Sequence, residues 1–363
     1  MFRVTAIILF AVFSTYCSVI KVKGFSDRDI QLAVNRCRHL DTVLLSSGVY
    51  NFGSSVEVPK GVTILGTGRD RTFFNRVDKS DDEFWFFRID GAHRFPFRVS
   101  GISFKAGVSE SSGGIFIFNG GVDFQIDNCR FERLSRRAVE IRKGGRGVIY
   151  QNIFIDNWPT SVVVYGNGDQ EWNEKLTLGT AEAVYVEDNF FSQSSVPDKN
   201  RAHHIASNNG SRYVFRYNVI QDGNMASHAI DAHGNKFGWK RGSRSYEIYG
   251  NTISAVHRWA GINIRGGDGV IFDNHFVGSF ISPIHLMHEG RNGDGNCAYP
   301  CEDQIRQLYI WNNECNDSKI KVFVRHSEVI AENRDYWLIK RSGYRPYIYP
   351  HPLRGEQKGV SGK

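Results

Sequence analysis

Val186-Glu-Asp-Asn189-Phe-Phe191, Phe215-Arg-Tyr-Asn218-Val-Ile220, Ile248-Tyr-Gly-Asn251-Thr-Ile253 and Ile271-Phe-Asp-Asn274-His-Phe276 are four copies of one pattern. Each has an apolar residue, two variable residues, Asn, one variable residue and a second apolar residue. Ile149–Asn152–Phe154 is a fifth copy, and Ile310–Asn313–Cys315 and Ile330–Asn333 are weaker ones. Cys129 and Ile102 take the place of Asn in two earlier copies. Counted from Ile102, successive gaps are 27, 23, 37, 29, 33, 23, 39 and 20 residues. A floor near 20–23 residues with variable additions is the signature of a solenoid, in which each coil has a fixed length and its loops do not. Apolar residues alternating about the Asn predict a strand with one face inward. Asn tolerates left-handed backbone, and stacked Asn side chains can bond along the coil axis.

Composition agrees. The 363 residues include 37 Gly and 26 Phe but only 9 Pro, with 41% hydrophobic and 23% charged residues. That excludes collagen, coiled coil, wholesale disorder and a multi-span membrane protein. A β-propeller needs about 40 residues per repeat, and a leucine-rich repeat would show Leu.

The chain resembles the right-handed parallel β-helix proteins of the pectate-lyase-like superfamily. Beside the repeat, the start carries the resemblance: an amphipathic segment at Asp27–Arg38, then Asp41-Thr-Val-Leu-Leu, Gly48-Val-Tyr, Val56-Glu-Val-Pro and Gly61-Val-Thr-Ile-Leu-Gly-Thr-Gly68. It implies an all-β solenoid over residues 25–340 with a short N-terminal capping helix. Lyases, hydrolases, epimerases and tailspikes share the architecture, so it leaves function open.

Residues 1–24 read as a signal peptide: Arg3, then an apolar run from Val4 to Phe13 too short to span a bilayer. The expected location is therefore secreted or extracytoplasmic, with no membrane association after signal removal. The net charge of +7 falls to +4 without Arg3, Lys21 and Lys23. That mild excess favours an acidic polymer, and no signature for nucleic acid accompanies it. Cys297 and Cys301 are spaced to close a small disulfide loop, and the remaining cysteines read as structural. Residues 341–363, rich in Pro and Tyr at first, read as an extended cover and tail. The oligomeric expectation is a monomer or a trimer.

A second strand aligns in each coil: Ala138–Arg142, Ser161–Tyr165, Ile205–Asn209, Ala229–His233, Gly261–Arg265 and Pro283–Met287. Period two sends Val139, Ile141, Val162, Val164, Ile230, Ala232, Ile262 and Ile264 inward. The outward residues form two columns. One reads Glu140, Val163, Ser207, Asp231, Asn263, His285; the other reads Arg142, Tyr165, Asn209, His233, Arg265, Met287. His204 and His228 fall at the upstream edge, and Trp259, Arg258 and His257 on a connecting turn. Eight of the twelve histidines lie between His203 and His288. Insertions after Val163, Asp231 and His285, carrying Trp172, Trp239 and Tyr299, leave from this face and could wall a groove.

Clustered acid, base and cation define an active-site candidate. The expected catalytic residues are Asp231, His233, Arg265 and His228. The expected substrate contacts are His204, Ser207, Asn209, Asn263, His285, Tyr165, Arg142 and Trp259. A glycosidase pair is not visible, because Glu140 and Asp231 stand three coils, roughly 14 Å, apart; a hydrolase would have to recruit Glu171, Glu174, Glu182, Glu289 or Asp294 from the loops. β-Elimination on a uronic-acid polysaccharide instead needs a cation for the carboxylate, a base and an acid. Arg265, His233 or His228, and Tyr165 offer these, with Asp231 fixing a histidine tautomer. The columns lack the clustered carboxylates of a calcium site, so a metal-free reaction is expected, with no cofactor. Asp231-Ala-His233 is similar to the Asp-x-His element of mannuronan epimerases, although Gly234 stands where that pattern continues with an acid. The expectation is a metal-independent polysaccharide lyase. The alternatives are a C5-epimerase, a glycoside hydrolase or a non-catalytic glycan-binding or structural β-helix.

Overall fold

The computed structural model of the chain describes residues 17–77, 83–106, 111–235, 241–290 and 297–355. It is a right-handed parallel β-helix whose coils present three parallel faces. The first face runs from Val19–Lys21 and Thr42–Leu44 through Val184–Glu187, Arg212–Arg216, Ser245–Tyr249 and Asp268–Phe272 to Tyr336–Trp337. The second includes Gly48–Phe52, Arg130–Glu132, Ile153–Ile155 and Phe190–Ser192. The third includes Phe84–Asp90, Ser112–Phe118, Arg137–Ile141, Thr160–Tyr165 and His203–Asn208. Three long strands, Val219–Ala232, Thr252–Ile264 and His275–Leu286, then sweep through both the second and third faces without a break.

The Asn repeat is the seam between the first and second faces. Asn152, Asn189, Asn218, Asn251, Asn274 and Asn313 are all at most 4% exposed. From Asn189 onward, each amide oxygen accepts from the backbone N–H and the side-chain Nδ2 of the Asn one coil earlier, at 2.8–3.3 Å. Cys129 begins the row, its backbone N–H donating to Asn152 Oδ1 at 2.9 Å. The residue before each ladder position (Gln151, Asp188, Tyr217, Gly250, Asp273, Asn312) has φ between 48° and 66°. This left-handed residue turns the corner. Asn333 stays outside the row; its backbone N–H donates to Tyr336 O.

One residue pair after the seam, Phe104, Phe131, Phe154 and Phe191 stack ring on ring with centroids 4.6–5.0 Å apart. The inward positions expected from period two are buried to within 1% of full coverage. Helix Asp27–Arg36 covers the first coils, two residues shorter than the sequence suggests. Ser26 and Asp29 form its capping box, and Ile30, Ala33 and Val34 are its buried stripe. Val19–Lys21 pairs with Thr42–Leu44, so a first strand lies inside the stretch read as a leader. Residues 1–16 fall outside the described part.

The described part of the C-terminal segment lies as a strap over the solenoid. It runs back along the outside of the first face, because that face is apolar there: Val148, Tyr150, Tyr185, Val214, Tyr249, Val270 and Phe272 form an outer cluster. Buried Arg216 fixes the strap by donating to Tyr347 O at 2.8 Å and Ile348 O at 2.9 Å. Tyr344 bonds Glu247, and Arg354 pairs with Glu187 at 2.9 Å. Residues 356–363 lie outside the described part.

Candidate active site

The third face carries the polar columns, and in one coil, His203–Asn208, the register is one residue away from that read in the sequence. Ile205 pairs with Val162 and with Ile230. Ala206 therefore occupies the column of Asp231, and Asn208 that of His233. Ser207 points inward, 1% exposed, with Oγ 2.7 Å from Ser243 Oγ and bonded to Asp231 O at 3.3 Å. A polar residue in an inward position is tolerated because Ser243 satisfies it, and that is what misaligned the sequence reading. Asn209 sits beyond the strand at φ 55° and donates to Gly166 O at 3.3 Å. Downstream the register holds: Asp231, Asn263, His285 and Phe323 stand side by side on consecutive coils. Upstream the same column continues through Val163, Glu140, Phe116 and Arg88.

His204 is also displaced. It turns into the core, fully buried, with Nε2 3.0 Å from Asp222 Oδ1. Arg258, expected on a turn, lies within a strand and is fully buried against Asp222, Ala202 O and His228 O. The groove-facing neighbour is His203, whose ring stacks on His228 at 4.2 Å.

Asp231, His233 and Arg265 do converge, and Glu289 joins them from the insertion after His285. Arg265 lies between the two carboxylates: Nε donates to Asp231 Oδ1 at 3.0 Å, Nη2 to Asp231 Oδ2 and Nη1 to Glu289 Oε1. His233 is held on both nitrogens, Nε2 2.9 Å from Asp231 Oδ2 and Nδ1 3.0 Å from Glu289 Oε2. Its Nε2 is also 2.7 Å from Arg265 Nη2. Gly234 N–H donates to Glu289 at 3.1 Å. His228 Nε2 is 3.4 Å from Asp231 Oδ1.

These surroundings push the histidines apart. Burial and Arg265 press His233 downward, but Asp231 and Glu289 outweigh them and raise it above its ordinary value. Burial lowers His228 despite Asp231, and burial with His228 beside it lowers His203 further. Burial pushes Asp231 up, yet Arg265, His233 and His228 hold it well below the carboxylate range. Glu289 is likewise lowered: burial works upward and His233 and Arg265 prevail. The cluster thus contains two ionised carboxylates, a guanidinium, a histidine favouring the cationic form and another favouring the neutral form.

Over it opens a cleft of about 420 Å³ lined by Arg137, Arg201, His203, His228, His233 and Arg265, with Tyr165, Asn208 and Ala206 among its walls. Among the described residues no acidic side chain lines it; Asp231 and Glu289 lie behind it. Arg137 pairs with buried Glu140 at 2.7 Å and donates to Tyr165 Oη at 3.4 Å. Arg142 pairs with Glu140 at 2.6 Å and lies over the rings of Phe116 and Tyr165. Tyr165 also borders a smaller cavity with Arg142, Lys143, Gly166 and Asn209, so the groove continues upstream. Glu171, Glu174 and Glu182 line a separate cavity with Arg146 and Arg212. Asn263, His285 and Trp259 lie on the opposite, downstream side of the cleft: Trp259 is 5.8 Å from His228 and 4.7 Å from His285. Trp172 stacks under Arg241, and Tyr299 under Arg334. Trp239 and Asp294 fall outside the described residues.

For metal binding, Asp231 and Glu289 are both ion-paired to Arg265, which leaves their combined site little attraction for a divalent ion. Among the described residues, His288, Cys297 and Cys301 bring ligand atoms within 4.8 Å of one another. Cys297 and Cys301 are joined as a disulfide, so this group offers thiolates only after reduction.

No family model and no curated protein sequence matches the chain. Solved structures do. A Geobacillus virus E2 protein, ORF18, is similar at TM-score 0.52 and 12% identity, over 84% of this chain and 60% of that one. This chain therefore spans about 60% of the length of that viral protein. An alginate lyase from Paenibacillus sp. str. FPU-7 is similar at TM-score 0.42 and 13% identity, over 82% of this chain and 99% of that one. The catalytic domain of a GH87 α-1,3-glucanase is similar at TM-score 0.44 and 11% identity, over 90% of this chain and 68% of that one. At 12% identity the likeness to the viral protein is one of fold alone, a right-handed parallel β-helix.

Proposed function

We propose that the chain is a secreted carbohydrate-active enzyme that cleaves an acidic polysaccharide by metal-independent β-elimination. The observation that carries this reading is the pair His228 and His233, driven to opposite protonation preferences beside Arg265 in a cleft whose described lining is cationic. Groups whose environments separate their pKa values mark acid and base roles. Neutral His228 is the base. It takes the C5 proton of a uronate; the C–H electron pair becomes the C4–C5 double bond and the C4–O bond breaks. The imidazolium of His228 then returns the proton to the leaving oxygen. Both nitrogens of His233 are already engaged, so His233 serves as a fixed positive charge. With Arg265 and the rim cations Arg137 and Arg201, it stabilises the negative charge that builds on the sugar carboxylate.

Hydrolysis is supported less well. Glu289 does supply the second carboxylate that the sequence columns lacked. A glycosidase, however, keeps one carboxyl protonated, and both Asp231 and Glu289 are held ionised. Mass spectrometry of oligosaccharides released from a uronate polymer tests the proposal. Elimination gives new ends that lack one water relative to hydrolysis products. Ends carrying added water, or inverted uronates without cleavage, would replace it with hydrolysis or epimerisation.

A further inference from the structure

The downstream end of the cleft holds polar atoms that the protein does not satisfy. His285 is 4% exposed, and neither ring nitrogen has a hydrogen-bond partner. Asn263, one coil before it in the same column, is 2% exposed with an unpartnered Oδ1. Buried polar groups are almost always paired, so adjacent orphans mark a place for a ligand or ordered water. Aromatic rings enclose this row: Trp259 lies 4.7 Å from His285, and Phe323 lies 4.8 Å from it on the next coil. Trp259 is itself partly exposed, and Phe323 is exposed, so the row is reached from outside.

We propose that Asn263, His285 and Trp259 form a second sugar subsite, downstream of the cationic cleft, that takes an uncharged, hydroxyl-bearing ring. The ring stacks on Trp259 and exchanges hydroxyl hydrogen bonds with Asn263 Oδ1 and the His285 imidazole once the indole shifts outward. The chemistry selects a neutral group. Burial, with Arg325, His228 and His326 nearby, lowers His285 to about 4, so the imidazole is neutral and offers one donor and one acceptor. Asn263 Oδ1 accepts, which suits a hydroxyl and repels a carboxylate. The inference rests on the cleft being a carbohydrate site. It narrows the substrate to a polymer that places a neutral residue beside its uronate.

The test is binding, independent of turnover. The indole N–H resonance of Trp259, assigned by its loss in Trp259→Phe, is followed while methyl glucoside, galactoside, mannoside, N-acetylglucosaminide and methyl glucuronide are added separately at millimolar concentrations. At least one neutral glycoside shifts the resonance saturably, the glucuronide does not, and Asn263→Leu weakens that binding about tenfold, as loss of one good hydrogen bond does. His285→Phe, which keeps the ring stack, does the same if Asn263→Leu fails to fold. No shift with any neutral glycoside, or an equal shift with the glucuronide, overturns the proposal. Formation of unsaturated uronate by the wild type answers separately for the elimination reading.

Discussion

Asn218→Ala cuts the seam of the solenoid at its middle. Asn218 Oδ1 accepts from Asn189 N and Nδ2, both at 3.0 Å, while its Nδ2 donates to Val186 O at 2.9 Å, Arg216 O at 3.0 Å and Asn251 Oδ1 at 3.2 Å. Truncation removes all five. Asn189 Nδ2 retains Ile149 O and Glu187 O, and Asn251 Oδ1 still accepts from the Asn218 backbone. The Asn189 N–H, however, loses its acceptor in a place with no access to water. The unsatisfied Asn189 N–H costs about 1–3 kcal/mol and the other four bonds about 1 kcal/mol net each, so a loss of roughly 5–7 kcal/mol is expected. Urea unfolding followed by β-sheet circular dichroism measures it, with exposed Asn35→Ala as a control that changes stability by less than about 0.5 kcal/mol. A loss below about 1 kcal/mol for Asn218→Ala would refute the view that the row of amides holds the coils in register.

Other consequences follow from the buried charges. Asp222→Ala leaves fully buried Arg258 without its carboxylate and should cost about 3–5 kcal/mol in the same unfolding assay. Asp231 and Glu289 are lowered in the folded state, so they add stability above their unfolded values near 4 that is lost as pH falls below that range. His233 is raised, so its contribution is complete below about 6.5 and is lost as pH rises through its folded value. Thermal midpoints across pH should show both limbs, and His233→Asn should flatten the alkaline one and weaken the acid one, because His233 helps to lower Asp231 and Glu289. Tyr344→Phe should loosen the strap at Glu247 while leaving the cleft intact, read as faster proteolysis near the C-terminus with unchanged activity.

The fold was legible because its main device repeats. The Asn rows carry their own spacing, and six of them are the observed ladder. The site was legible only where strand alternation was regular. Asp231, Asn263 and His285 stand together because Ile230, Ile262 and Ile284 anchor their register. Ser207 broke the alternation: its partner Ser243 is 36 residues away, and nothing local marks it as an inward residue. His204 was misplaced for the same reason, since Asp222 and Arg258, which hold it inside, lie on other coils. Glu289 reaches the cluster from an insertion whose path only the folded chain defines. The outer apolar cluster that draws the C-terminal strap is spread over several coils, so no single stretch of sequence displays it.

The most direct test is ultraviolet absorbance of unsaturated uronate on mixing the protein with pectate, alginate, glucuronan and glycosaminoglycans, wild type beside His228→Ala. The account predicts a rising signal on at least one polymer and a fall of roughly 100-fold or more in the variant, the usual size of a lost general base. No double-bond signal on any of these polymers, or an unimpaired His228→Ala, would contradict it.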